Sequence, residues 1–456
     1  MRASGLHRIK PPQWGRVALF TFSGLLVGCA SYQPQVLPEQ PDFVSLTPTQ
    51  HQENPAQSYV LSFAQLQARV LQDNPELKAA KLGAEVAAAQ IRKASSLPDP
   101  TLNLTRDTPL NGVGLISAMN QAIGLDLSAM MSRRERLNAA KAAQIQQTLN
   151  YTWLSLTTQI KASDLYVQQV ANAAQTQVLT RELAEINARL RQSQAALAKG
   201  YITQDRVVAD VVRAADLTRQ VDQLQLQATQ NHQQLNALMG LSPDTAWQTE
   251  GWFDVALPDA AAQADILAQL ALHRADLLAL RAGVLRADAQ YRAALLQQFP
   301  GLTFGVSHAN DTSNVQTAGF GVGLTLPIFG SAQAGVALAQ ATRAQLNAEF
   351  QARINQAASE VATVQRTLVA YRARLSQIEA RLPTLEQTAA NAQTALDAGY
   401  FSAGSYLAVR ATLTAEQLNA IQTRQAIIQA QLALRGVLGL VDQLALPKSP
   451  INSAPP

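Results

Sequence analysis

From Ser128 to Lys199 the chain runs 72 residues without a glycine or proline. As one helix this stretch would extend about 108 Å at 1.5 Å per residue, far more than a single globular core needs. Gly200 follows directly, where a left-handed C-cap is expected, and the apolar spacing resumes in a return helix over 201–239. The run therefore predicts a very long helical hairpin.

The hairpin occurs twice. Asn74-Pro75-Glu76-Leu77 corresponds to Arg274-Ala275-Asp276-Leu277 at an offset of 200, and Gly124-Leu125-Asp126-Leu127 corresponds to Gly323-Leu324-Thr325-Leu326 at 199. Leu197-Ala198-Lys199-Gly200-Tyr201 and Met239-Gly240-Leu241 find partners in Leu396-Asp397-Ala398-Gly399-Tyr400 and Leu438-Gly439-Leu440, again at 199. Self-similarity at a fixed spacing marks a duplicated structural unit. Each copy reads as helix, two strands, very long helix, turn, helix. The pre-strand helices fall near 75–96 and 271–298, and the second rod spans 336–398 with Pro383 inside it. That proline is expected to kink or locally break the helix, since it lacks an N–H and crowds the preceding turn. The second return helix, 405–435, places Leu407, Ala411, Leu418, Ile421, Ile428 and Leu432 at coiled-coil spacing.

Between the helices lie short alternating segments, Leu302–Ser307 and Phe320–Leu326, with weaker counterparts in Leu102–Thr105 and Ile123–Leu127. Apolar residues take one side and Gly, Thr or Ser the other. This is the pattern of strands with lipid outside and water inside, although a soluble hairpin packed on one face gives the same period. A sheet in lipid must close into a barrel, which begins at about eight strands. One chain supplies about four, so membrane-embedded strands would require several copies around one barrel.

The N-terminus argues for export. Arg2, Arg8, Lys10 and Arg16 precede an apolar run, Val17 to Val27, too short to span a bilayer as a helix. It ends in Leu26-Val27-Gly28-Cys29, with Cys29 the single cysteine of the chain. The tetrapeptide resembles a bacterial lipobox, in which that cysteine is acylated. The alternative is an ordinary cleaved signal with an incidental cysteine. Without those four basic residues the net charge of +4 falls to zero, so the pI of about 9.2 does not describe a nucleic-acid-binding surface. The histidines, at 7, 51, 232, 273 and 308, are scattered, and no nucleophile elbow, paired catalytic acids or P-loop is present. Gly319-Phe320-Gly321-Val322-Gly323 fits an alternating strand better than a nucleotide loop. The reading is therefore of a non-enzyme without cofactor or metal site.

From about Phe63 to Leu440 the sequence resembles the outer-membrane efflux protein family, the TolC-like channel-tunnels, and its lipoprotein branch. The resemblance rests on the two hairpin tips, residues 195–203 and 382–402, on the junction Leu326-Pro327-Ile328-Phe329-Gly330, and on the duplication. Leu97-Pro98-Asp99-Pro100-Thr101-Leu102 and Ser132-Arg133-Arg134-Glu135-Arg136 are similar to segments of the heavy-metal, cobalt-zinc-cadmium type subgroup. The resemblance implies a mainly α fold with a small β part. Long-helix hairpins of three copies would form an α-barrel, and four strands from each a shared 12-stranded transmembrane β-barrel. It implies a homotrimer in the outer membrane of a Gram-negative bacterium, in contact with outer-membrane lipid. Its partners would be a periplasmic adaptor (membrane fusion) protein and an inner-membrane efflux pump of RND type. The function implied is passive exit of small molecules or metal ions. A duct for type I protein secretion and a non-channel periplasmic coiled-coil scaffold lipoprotein are the alternatives.

The organisation expected is a lipoprotein signal peptide at 1–28, an anchored wrapping segment at 29–60, a first repeat at 61–241, a linker at 242–265, a second repeat at 266–440 and a Pro-rich tail at 441–456. The resemblance assigns adaptor docking to Gly200, Tyr201, Ile202, Thr203, Gly399, Tyr400, Phe401 and Ser402, and lipidation to Cys29. Two departures stand out. Leu127-Ser128-Ala129-Met130 replaces Leu-Pro-Ile at the first junction, and Ser405 and Ala408 stand where many members carry carboxylates at the periplasmic mouth. Asp205 and Asp210 could substitute there, or be solvated helix-face charges.

Overall fold

A computed structural model of the chain describes residues 32, 34–35, 37–46 and 59–440. The segment expected to be a signal peptide (1–28), Cys29 and the tail at 441–456 lie outside the described residues. The chain divides into two units, 1–43 and 44–456, and the described part of the first contains neither helix nor strand.

In the second unit, β1 (Val60–Leu61), α1 (Phe63–Asp73) and α2 (Pro75–Ser95) lead into β2 (Thr101–Asp107) and β3 (Ala118–Asp126). A short α3 (Ser128–Met131) precedes α4 (Arg133–Ala198), which returns as α5 (Gln204–Leu238). A linker holding β4 (Gln248–Thr249) opens the second half. There α6 (Ala260–Ala268), α7 (Leu270–His273) and α8 (Ala275–Leu296) precede β5 (Gly301–Asn310) and β6 (Gln316–Thr325), followed by α9 (Ser331–Asp397) and α10 (Ala403–Val437). The long helices α4 and α9 contain 66 and 67 residues, each about 100 Å of helix.

Three expectations about the helices are corrected. The first rod starts at Arg133, because the Asp126 carboxylate accepts from Ser128 N at 2.9 Å and Ala129 N at 3.3 Å and closes a separate turn there. The second pre-strand helix is divided at Arg274, whose backbone is extended. Helix α9 runs through Pro383 without a break. Pro383 and Glu379 are both exposed, so the Glu379 carbonyl that loses its helical donor can be solvated. The strands are also longer than the alternation implied.

The sheet order is β2-β3-β5-β6, all antiparallel, with β2 and β6 each paired on one side only. Helix α4 packs on α2, α5, α8 and α10, and α9 packs on α8 and α10. The largest core cluster lies where β1, α1, α4 and the linker meet. There Tyr166 donates its hydroxyl to Leu61 O at 2.7 Å and accepts from Glu250 N at 3.1 Å, and Phe63 stacks on Phe253 at 3.9 Å.

The duplication is visible in the contacts that close each repeat. In the first, Asn74 caps α2 by accepting from Leu77 N at 2.9 Å and donates to Leu238 O at 2.9 Å. In the second, Arg274 occupies the same place and donates to Val437 O at 3.1 Å. Gly240, at φ +68°, lies so near this contact that an added Cβ would sit 2.8 Å from Asp73 O. Gly240→Ala is expected to lose about 1–2 kcal/mol from the left-handed backbone alone, with the clash adding to it. A lowered midpoint in urea unfolding with an unchanged slope would show this.

Asp164 on α4 is a half-buried carboxyl whose pKa is pushed up to about 6 by desolvation. Because the folded value lies above the unfolded 3.8, ionising this group opposes folding, and stability falls as pH rises from about 4 through 6. Asp164→Asn is expected to raise the thermal midpoint at pH 7.5. That gain should shrink as pH falls through 6 and vanish below about 4, as thermal melts across pH would reveal.

Candidate docking tips, mouth and membrane sheet

Both tips are built by the same backbone device. At the end of α4, Gly200 (φ +72°) donates to Leu197 O at 2.9 Å and Tyr201 N to Ala196 O at 2.9 Å. At the end of α9, Gly399 (φ +77°) donates to Leu396 O at 3.0 Å and Tyr400 N to Ala395 O at 2.9 Å. These paired bonds are Schellman caps, which need the left-handed residue and reverse the chain within a few positions. Tyr201 and Tyr400 are left largely exposed, whereas Phe401 packs into a cluster with Tyr406, Leu407, Leu179 and Leu217. Ile202 is half-buried, and Thr203 is the extended N-cap residue of α5. Ser402 caps α10 by accepting from Ser405 N at 3.0 Å.

At the mouth positions, Ser405 Oγ accepts from the Ser402 hydroxyl at 2.8 Å. Ser405, Ala408 and Thr412 share an exposed face of α10. Asp205 is fully exposed in the first turn of α5, and the Thr203 side chain holds its pKa below the usual carboxylate range. Asp210 is neither a mouth charge nor solvated. It is completely buried, paired with Arg189 at 3.0 Å and accepting from Ser193 Oγ at 2.9 Å.

Behind the tips a charge lattice joins the two hairpins. Arg410 of α10 donates to Glu182 of α4 through Nε at 3.1 Å and also pairs with Glu185, while Arg213 of α5 lies 3.7 Å from Glu182. Burial works against the Arg410 charge, but Glu182 and Glu185 together hold its pKa above the ordinary value. Arg189 also sits over the Tyr406 ring at 5.0 Å. Sequence reasoning missed this lattice. Its one local trace is the four-residue spacing of Tyr406 and Arg410, and of Glu185 and Arg189, beside the tips.

The sheet has two unlike faces. Cross-strand pairs Leu102–Ile123, Ile123–Val306, Phe304–Val322 and Leu302–Leu324 form an exposed apolar face. The opposite face carries Gly124–Gly305, Gly305–Gly321, Thr303–Gly323 and Ser307–Gly319. Ten-residue strands are about 34 Å long, enough when tilted to give the roughly 25 Å apolar band of a membrane barrel. Among the described residues no helix is long and apolar enough to cross a membrane, and no group of His, Cys, Asp or Glu could hold a metal ion.

Comparison with known proteins places this architecture. Residues 266–440 match the family described as outer membrane efflux protein. No curated protein sequence matches the chain. Among solved structures, the chain is similar to CusC, described in terms of transmembrane channel formation, with a TM-score of 0.71 at 18% identity over 90% of this chain and 99% of that one. It is similar to the outer membrane protein VceC of Vibrio cholerae, with a TM-score of 0.70 at 20% identity over 83% and 96%. The Campylobacter jejuni CmeC outer membrane channel gives 0.72 at 15% identity over 90% and 95%. The second half of the chain thus matches the outer membrane efflux protein family, and the chain as a whole shares the fold of these solved structures.

Proposed function

We propose that the chain is the subunit of a trimeric outer-membrane exit duct in a tripartite efflux system. The observation that carries this reading is the two-faced, four-stranded sheet with both edges open. A sheet in lipid cannot leave its edge groups unpaired, and joining β6 of one copy to β2 of the next around three copies closes a 12-stranded barrel. The apolar face would meet lipid and the small, polar face would line a water-filled lumen.

The remaining parts take roles that follow from their chemistry. The first and second repeats each supply a strand pair and a helical hairpin, and the long helices carry the duct through the periplasm. The Schellman tips, with Tyr201 and Tyr400 exposed, would receive a periplasmic adaptor coupled to an inner-membrane pump of RND type. Acylation of Cys29 would tether the chain. Cargo would be small molecules or metal ions, driven by the pump, with the duct itself passive. The mouth would lack a carboxylate ring on α10 and carry Asp205 alone among the candidate positions. Planar-bilayer recording on the purified full chain, with its mass under native conditions, tests the reading. Stable conductance from a trimer is expected, and a folded trimer without conductance, or a monomer in both detergent and membrane, would overturn it.

A further inference from the structure

The two repeats differ most in charge where strands pass into helices. In the second repeat this junction holds one cation, Arg292, which is paired with Asp288, and it exposes Phe299, Ile328 and Phe329. In the first repeat, residues 92–100 and 126–136 carry five basic side chains, Arg92, Lys93, Arg133, Arg134 and Arg136, against three carboxylates. Two of the cations are used within the chain: Arg133 donates to Ser95 O at 2.8 Å, which ties α2 to α4, and Arg136 donates to Ala129 O at 2.7 Å. Of the carboxylates, Asp126 caps the α3 turn and Glu135 accepts from Asn138 at 3.5 Å.

Arg92, Lys93 and Arg134 remain exposed, and among the described residues none of them makes an ion pair. The helix dipole accounts for Arg92 and Lys93 in the last turn of α2. It disfavours Arg134, in the first turn of α4, where a cation meets the positive helix end. Arg92 and Lys93 stand nine and eight residues before β2 and Arg134 eight residues after β3, at the end of the sheet where Thr101 pairs with Gly124. Their long stems can follow apolar surface while the charged ends reach the level where hydrocarbon gives way to headgroups.

Resting on the duct reading, we propose that this first-repeat junction binds the phosphate groups of anionic glycerophospholipids in the periplasm-facing leaflet. The apolar junction of the second repeat enters the acyl region beside it. Three copies would alternate three cationic and three apolar arcs around the barrel. The occupant follows from charge and from continuity with the lipid-facing strands: unpaired cations at headgroup height, next to an apolar face, fit an anionic lipid.

The test measures, on the full-length trimer, the association of spin-labelled phosphatidylglycerol relative to phosphatidylcholine in liposomes. The wild type is compared with Arg92→Gln/Lys93→Gln/Arg134→Gln, three surface changes that leave the Arg133 and Arg136 ties intact. Phosphatidylglycerol should be preferred by the wild type, and the variant should lose up to about fivefold of that preference per cation removed. The wild-type preference should also weaken in 0.5 M salt. Equal association of the two lipids with the wild type, or an unchanged preference in the triple variant, overturns the proposal. Bilayer conductance is read on the same preparations. A conducting trimer without lipid preference defeats only the headgroup site, whereas a trimer that never conducts defeats the duct reading.

Discussion

Arg274→Leu is expected to lower the stability of the folded chain by about 3–5 kcal/mol, the cost of removing one partner from a buried ionic network. Arg274 is completely buried. Its guanidinium donates to both oxygens of Asp276 at 2.8 and 2.9 Å, to Glu360 at 3.2 Å and to Val437 O at 3.1 Å. Arg353 completes the ring, 2.8 Å from Asp276 and 2.7 Å from Glu360, and both guanidinium groups lie over Trp153. Leucine fills much of the volume but leaves two carboxylates facing one cation and the Val437 carbonyl without its donor. The readout is the thermal midpoint of the purified protein.

The pH dependence separates this network from a simple packing defect. Burial alone would raise the Asp276 and Glu360 pKa values, but the hydrogen bonds and charges of Arg274 and Arg353 outweigh it and hold both below the ordinary range. Folded values below the unfolded ones mean that the stabilisation is complete above about pH 4.5 and is lost as pH falls through the folded values. The gap between wild type and Arg274→Leu should therefore be widest near neutral pH and narrow below about pH 4. A gap of constant size across pH would assign the loss to packing instead.

The parts legible in the sequence are those set by local pattern. Freedom from glycine and proline located α4, Gly200 and Gly399 located the tips, and the alternation in Phe320-Gly321-Val322-Gly323-Leu324 located a strand with unlike faces. What escaped depends on partners distant in the chain. The duplication aligned Arg274 with Asn74, and Asp276 lies two residues on, yet Glu360 and Val437 come from α9 and α10, and no spacing connects them to Arg274. Asp210 read as a surface charge because its partner Arg189 belongs to another helix of the hairpin, and helix period alone does not say which side that helix covers. The strand ends Ala118–Gln121 and Ala309–Asn310 escaped because their side chains do not alternate, although their backbones continue the ladder.

Gly321→Arg is expected to reduce single-channel conductance severalfold and to shift ion preference toward anions without unfolding the chain. Gly321 lies in register with Gly305, which in turn pairs with Gly124, so three adjacent strands present no side chain at one level of the face proposed to line the lumen. An added Cβ at Gly321 meets nothing within 4 Å, unlike one at Gly323, which would lie 2.5 Å from Thr303 Oγ1. Its backbone is ordinary extended strand, and a strand interior tolerates a side chain better than the glycine it replaces. In a trimer the substitution would place three cations around one ring. Charges confined in a narrow water-filled passage set ion preference, while their bulk narrows the path. The neighbouring Val322→Arg puts the same charge on the lipid-facing side, where it should cost about 2–4 kcal/mol at the bilayer midplane. That variant is expected to assemble poorly, and whatever does assemble should conduct like wild type. The opposite pattern, with position 322 controlling conductance and position 321 controlling assembly, would show that the two faces of the sheet are reversed.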